Sequence, residues 1–309
     1  MARVEANGIT IEYEDTGSGE PLVLVIGLTG QLIDWPQGLV DALVGQGFRV
    51  IRFDNRDAGL STEIDAPVPT KWEIMQAAMG RRTRASYTVP DMAADLVGLL
   101  DALGIDKAHI AGMSMGGMIA QQVAIDHPDR VLSLCSIMST TGARFVGTPR
   151  PHVVKAFLKR KRVTIEAAVD DAVAFFRLIS GPTFDDTEFR ALAEASISRS
   201  YRPEGSARQL AAIMASPDRT PGLRRLRVPT LVIHGTRDPL VTPSGGVATL
   251  NAVPGARLLM FNDMGHDLPR TRWGEMAAAI RENADRAAAP VGVPGNGQTA
   301  SAVSASTYS

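Results

Sequence analysis

Ser114 stands in Gly112-Met113-Ser114-Met115-Gly116, a G-x-S-x-G pentapeptide within the run HIAGMSMGGMIAQQ (His109 to Gln122). The apolar residues before it read as a buried strand and those after it as a helix, so the serine falls at the break between them. A strand that turns straight into a helix forces strained dihedrals on the residue at the corner. Only small neighbours two positions away let the two segments approach. A hydroxyl displayed there is a nucleophile, but a poor one until a base takes its proton. The pentapeptide alone is weak evidence, since about 0.15 matches arise by chance in a chain of this composition. Its setting between strand and helix carries the reading.

The chain has five histidines from which to draw a base. His109 opens the strand before the serine, His127 ends a helix, His152 lies in a helical stretch and His234 lies inside a strand; each reads as surface or structural. His266, in FNDMGHDLP, falls just beyond the last strand, at the carboxyl edge where ligands gather in open α/β sheets. It is the candidate base. Its ring needs an orienting carboxylate, and the expected chain order is serine, acid, histidine. Asp238, in PTLVIHGTRDPLV, follows a strand and precedes His266. Asp263 and Asp267 stand too near His266 in sequence and read as shaping its loop. Acyl transfer also needs donors for the developing oxyanion. The candidates are the backbone N–H of Met115, at the start of the elbow helix, and that of Leu28, in the turn IGLTG after an early strand.

Other chemistries find little support. Asp54, Arg56 and Asp57 in RFDNRDAGLST read as an ion-paired brace for a loop, because charge clusters beside strands are usually structural. No His, Cys, Asp or Glu group shows metal-ligand spacing, and the one cysteine, Cys135, sits in an apolar run. The glycine runs lack the lysine of a phosphate-binding loop, and GMSMGG is not G-x-G-x-x-G. No cofactor and no metal are expected.

The elements that would position these groups follow from patterning. RVEANGITIEYEDTG alternates polar and apolar residues around Asn7-Gly8 and predicts a hairpin. Continuous apolar runs predict buried strands at PLVLVIG (21–27), FRVIRFD (48–54), KAHIAGM (107–113), VLSLCSIM (131–138), PTLVIHG (229–235) and ARLLMFN (256–262). Between them lie amphipathic stretches, such as VPDMAADLVGLLDALG and GGMIAQQVAIDHP, with helical spacing. Strands alternating with helices imply an α/β fold with a parallel sheet covered on both sides. From about Gly142 to Pro221 the signals are helical only: HVVKAFLKRK, TIEAAVDDAVAFFRLIS, TEFRALAEASISRS and EGSARQLAAIMAS. The expected division is a core of residues 1–141 and 221–286, a helical cap at 142–220, and a disordered Ala/Gly/Ser/Pro-rich tail at 287–309.

The bulk numbers exclude other classes. The 309 residues are 45% hydrophobic and 21% charged, ordinary for a soluble globular chain. The net charge of −1, from 32 basic and 33 acidic residues, lacks the basic surplus of a nucleic-acid protein. No signal pattern opens the sequence and no apolar run reaches a membrane span, so stable membrane insertion is not expected and a cytoplasmic location is the default. A homodimer is left open.

Taken together and in order, VLVIGLTG, RFDNRDAGLST, AHIAGMSMGGMIAQQVAIDHPDRV, PTLVIHGTRDPLVTP and MGHDLP resemble the α/β-hydrolase superfamily over about residues 5–285. The resemblance implies an eight-stranded, mostly parallel sheet, a helical cap, and a Ser114–Asp238–His266 triad. DWP, RDAGLST and FRLISGPTFDDTEF further resemble the aclacinomycin methylesterase-like group and related bacterial carboxylesterases. One departure stands out: many relatives carry His-Gly at the first oxyanion turn, where this chain has Ile26-Gly27. The Leu28 N–H survives that change because it belongs to the backbone; the hydrogen bonding of the turn is what the change puts in doubt.

The expected activity is cofactor-free hydrolysis of a small-molecule carboxylic ester through an acyl-enzyme, on small to medium hydrophobic esters or methyl esters. Phe157, Phe175, Phe176, Leu178 and Met214 of the cap, with Met113, Met115 and Met264, would either line an apolar site or serve as core. A thioesterase, lactonase, C–C hydrolase or perhydrolase would use the same triad, though perhydrolases often lack a substantial cap. A serine at the elbow argues against epoxide hydrolases and dehalogenases, which place aspartate there. A non-catalytic ligand receptor on this fold would keep the motifs too.

Overall fold

The structure is a computed structural model and describes residues 1–70, 72–73, 76, 85–159 and 164–288. Eight strands form one sheet in the order β1-β2-β4-β3-β5-β6-β7-β8. They are β1 (Ala2–Ala6), β2 (Ile9–Thr16), β3 (Glu20–Val25), β4 (Phe48–Phe53), β5 (Ala108–Met113), β6 (Val131–Ile137), β7 (Thr230–Gly235) and β8 (Arg257–Phe261). β2 runs antiparallel to β1 and to β4, and every other junction is parallel. Each apolar run of the sequence became a strand, and the hairpin turns at Asn7 (φ 50°) and Gly8 (φ 76°), the paired positive dihedrals of a tight type I′ turn.

The central strands are buried on both faces because each face carries its own helical layer. Val23, Val25 and Ile110 point to one side and join Leu96, Leu99, Ile119 and Val123, from the helices Val89–Ala102 and Met115–Asp126. Leu22, Leu24 and Ala111 point to the other and join Leu39, Leu43, Met276 and Ile280, from the helices Gln37–Gly45 and Trp273–Ala288. The strand period of two deals alternate residues to the two layers, and each fully buried Leu or Ile contributes roughly 1.5–3 kcal/mol. The helix at Val89 starts on a capping box, with Thr88 and Asp91 each satisfying the other's exposed backbone group.

Two polar groups inside this core carry no chemistry. Cys135 is buried, and burial pushes its thiol far up, so it is inert. His109 is 2% exposed, with Nδ1 2.8 Å from Ser133 Oγ. Burial pushes its pKa down to about 4, against a partial upward pull from Glu20. The unfolded chain, with a histidine pKa of 6.5, therefore takes up this proton first as the pH falls. Stability from neutral His109 is complete above pH 6.5 and lost between there and about 4. Urea unfolding should show the wild type losing about 2 kcal/mol more than His109→Gln between pH ~6.5 and ~5, one proton's linkage over that interval. Equal slopes would contradict this.

Between β6 and β7 the described residues hold helices at Pro151–Lys159, Ile165–Ile179, Asp186–Arg199 and Pro203–Ala215, a one-turn helix at Thr220–Leu223, and no strand. These helices form an insertion between β6 and β7; the last two residues of HVVKAFLKRK lie outside the described residues. The final helix runs through Ala288, two residues into the stretch expected as a tail, because the apolar spacing of Met276, Ile280 and Ala284 carries it along the sheet. Residues 289–309 lie outside the described residues.

Candidate active site

β5, β7 and β8 run parallel, so their carboxyl ends open on one edge of the sheet. Ser114 follows β5, Asp238 follows β7 and His266 follows β8. Three sequence-distant groups thus reach one edge because the crossover helices return each strand in the same direction.

Ser114 adopts φ 54°, ψ −120°, a strained conformation for a residue with a side chain. Its neighbours hold it there. Its N–H donates to Ile137 O at 2.9 Å, and its carbonyl accepts from Gly117 N at 3.0 Å and Ser139 Oγ at 2.7 Å. The corner leaves no room for side chains: a Cβ on Gly112 would lie 2.1 Å from Gly116 O, and one on Gly116 would lie 2.0 Å from Val25 O. This is the sharp strand-to-helix turn expected from G-x-S-x-G, and it leaves Ser114 partly accessible.

Asp238 is 2% exposed and fully engaged. Its Oδ1 accepts from Leu240 N and Val241 N, both at 2.9 Å, and its Oδ2 lies 2.7 Å from His266 Nδ1. His234 Nε2, hydrogen-bonded to Val241 O at 2.8 Å, also approaches Oδ2 at 3.5 Å. Burial works to raise the Asp238 pKa, but the charge of His266 and hydrogen bonds from His234 and His266 outweigh it and hold the carboxyl below its ordinary value. A carboxylate at His266 Nδ1 assigns the neutral ring's proton to that nitrogen and leaves the Nε2 lone pair free to accept another.

The His266 loop is held by the insertion. His266 N–H donates to Ile179 O at 2.8 Å, and Asp267 Oδ1 accepts from Gly265 N at 2.8 Å and Gly181 N at 3.0 Å. Asp267 and Asp263, the latter 3.0 Å from Arg272, thus shape the loop and leave Asp238 as the partner of His266. The other histidines sit elsewhere: His109 in the core, His127 at a helix end and His152 exposed on the insertion.

The turn after β3 abuts the serine. A Cβ on Gly27 would lie 3.2 Å from Ser114 Cβ and 3.7 Å from its Oγ. Among the described residues neither the Leu28 nor the Met115 amide donates to a protein acceptor; Leu28 is partly exposed, whereas Met115 is buried. The hydrogen bonds put in doubt by Ile26 come from other side chains: Asn55 Nδ2 donates to Ile26 O at 3.1 Å, and Gln209 Oε1 accepts from Thr29 N at 2.9 Å.

Asp54, Arg56 and Asp57 are a brace, but they pair with distant residues rather than with one another. Asp54 meets Arg199 at 2.8 Å, Arg56 meets Asp95 at 2.6 Å and Asp57 meets Arg208 at 2.8 Å. Two of the three partners belong to the insertion, so the brace fastens it to the sheet. Met115 and Met264 are fully buried in the core. Phe157, Leu178 and Met214 are partly exposed on the insertion, whose rings Phe157, Phe175, Phe176, Phe184 and Phe189 form a continuous chain of contacts. Sequence reading missed Ser139, the Ile179 carbonyl and Gln209. A backbone acceptor leaves no trace in a sequence, and a glutamine on an amphipathic helix reads as solvated until the fold buries it.

Among the described residues no His/Cys/Asp/Glu group is placed to hold a metal, and no helix is long and apolar enough to cross a membrane. The family model described as alpha/beta hydrolase fold matches residues 20–269. Rhodomycin D methylesterase DnrP of Streptomyces peucetius is 28% identical over 297 residues, covering 88% of this chain and 94% of that one. A 2-hydroxy-6-oxononadienedioate/2-hydroxy-6-oxononatrienedioate hydrolase of Burkholderia vietnamiensis is 28% identical, covering 89% of this chain and 88% of its own. The structure of a thermophilic esterase from Thermogutta terrifontis superposes with a TM-score of 0.70 at 25% identity, covering 93% and 99% of the two chains.

Proposed function

The chain belongs to the α/β-hydrolase fold family, and on that premise we propose that it is a serine hydrolase of carboxylic esters. The observation that carries the reading is Ser114, held at a strained corner on the same sheet edge as a buried Asp238–His266 pair 2.7 Å apart. His266 Nε2 takes the Ser114 proton as Oγ attacks the ester carbonyl. Asp238 keeps the ring in the useful tautomer and stabilises its positive charge. The Leu28 and Met115 amides receive the oxyanion, aided by the N-terminus of the helix Met115–Asp126. The alcohol leaves with the proton from His266, and water activated by the same histidine releases the acid.

The insertion acts as a cap, and its aromatic chain favours a hydrophobic acyl or alcohol group. Similarity to a methylesterase and to an esterase supports an ester, and similarity to the nonadienedioate hydrolase supports a second reading, cleavage of another bond on the same groups. A panel of p-nitrophenyl esters of rising chain length, run beside methyl esters of bulky acids, separates these. We expect kcat/KM to rise at least about tenfold from acetate to medium-chain esters or to a bulky methyl ester, as several buried methylenes add transition-state binding. No turnover of any ester would exclude the reading.

A further inference from the structure

The geometry points to Gln209 as a positioning residue for the oxyanion turn, so that the insertion builds part of the machinery it covers. This rests on the ester-hydrolase reading above. The turn spans Gly27 to Gly30 and closes by Gly30 N–H to Gly27 O at 3.2 Å. Its third residue, Thr29, has φ 68°, a position that turns of this kind reserve for glycine or asparagine. A β-branched residue stays there only when its surroundings hold it.

Gln209 supplies the hold. It lies on the insertion helix Pro203–Ala215, 180 residues from Thr29 in sequence, and is 0% exposed. Its Oε1 accepts the Thr29 N–H at 2.9 Å, and its Nε2 donates to Arg56 O at 2.8 Å. The second bond fixes which end of the amide faces the turn. The Leu28–Thr29 peptide is thereby pinned one residue beyond the Leu28 N–H, the proposed oxyanion donor. The neighbouring stitches run the same way: Gln31 Nε2 donates to Ser196 O and Ser200 O at 2.6 and 2.9 Å, and Arg199 donates to Gln31 Oε1 at 2.6 Å. The insertion therefore holds the turn at Thr29 and the chain just beyond it at Gln31. Released from Gln209, Thr29 relaxes out of the left-handed region, and the Leu28 amide is no longer fixed in the turn that abuts Ser114.

The test compares Gln209→Met, Gln209→Glu and the pair Gln209→Met with Thr29→Gly on a p-nitrophenyl ester the wild type turns over. Methionine removes both hydrogen bonds at similar volume, glutamate keeps the acceptor for Thr29, and glycine makes the positive φ free of strain. We expect kcat of Gln209→Met to fall at least about tenfold with KM within about twofold, the mark of a contact expressed in the transition state. Gln209→Glu should retain more activity than Gln209→Met, and Thr29→Gly should restore much of what methionine loses. Binding of a trifluoromethyl ketone, whose serine adduct carries an oxyanion, should weaken in parallel with kcat/KM. A kcat for Gln209→Met near that of the wild type overturns the inference. So does equal loss in all three variants, which would mean that Gln209 serves packing alone. Failure of the underlying reading would look different: the wild type would turn over no ester, or Ser114→Ala would remain active.

Discussion

Ser114→Ala is expected to lower kcat for ester hydrolysis by on the order of 10⁵-fold while leaving the melting temperature within a few degrees of the wild type. The size follows from the covalent route: without Oγ no acyl-enzyme forms, and what remains is water attack helped by the oxyanion donors. The fold should be indifferent. Alanine keeps the backbone of Ser114, and the bonds that hold the corner run through its N–H to Ile137 and its carbonyl to Ser139 and Gly117, none of them through Oγ. A variant that melted far below the wild type would instead mean that the hydroxyl is structural. Substitution at Gly116 offers the opposite control, because a Cβ there would meet Val25 O at 2.0 Å and the corner itself would give way.

Asp238→Asn is expected to cost about 10⁴-fold in kcat, for a reason visible in its hydrogen bonds. Oδ1 is fixed by the amides of Leu240 and Val241, two donors that only an oxygen can satisfy. Asparagine must therefore keep its oxygen on that side and turn its NH₂ toward His266 Nδ1. The ring then accepts at Nδ1 and carries its proton on Nε2, where Ser114 needs a lone pair. The protein should stay folded, with the loop after β7 unchanged. Activity within tenfold of the wild type would mean that the acid lies elsewhere.

Much of the fold was legible because parallel strands buried on both faces announce themselves as short apolar runs, and all six predicted runs became strands. The helical insertion was legible for the converse reason, a long stretch with helical periodicity and no such run. Less legible were the helices Gln37–Gly45, Ser244–Ala252 and Trp273–Ala288, the last weakly apolar along much of its length. At the site, Ser114, Asp238 and His266 could be singled out because a strand end followed by a chemical residue is a local signal. Their supports could not be. Asp54 with Arg199, Asp57 with Arg208, and Thr29 with Gln209 join segments more than a hundred residues apart, and nothing in either segment names its partner. The charge cluster at 54–57 reads as a brace from the sequence, yet its pairs run outward to the insertion and to Asp95, a direction fixed only by the packed fold.

In the proposed mechanism Ser114 is the nucleophile, and His266 and Asp238 activate it. The most direct measurement is intact-protein and peptide mass spectrometry after exposure to a fluorophosphonate, which a serine captures only when a base has raised its nucleophilicity. One adduct per chain is expected, located on Ser114, absent from Ser114→Ala and strongly slowed in Asp238→Asn. An unlabelled wild type, an adduct on another residue, or labelling of Asp238→Asn at the wild-type rate would contradict it.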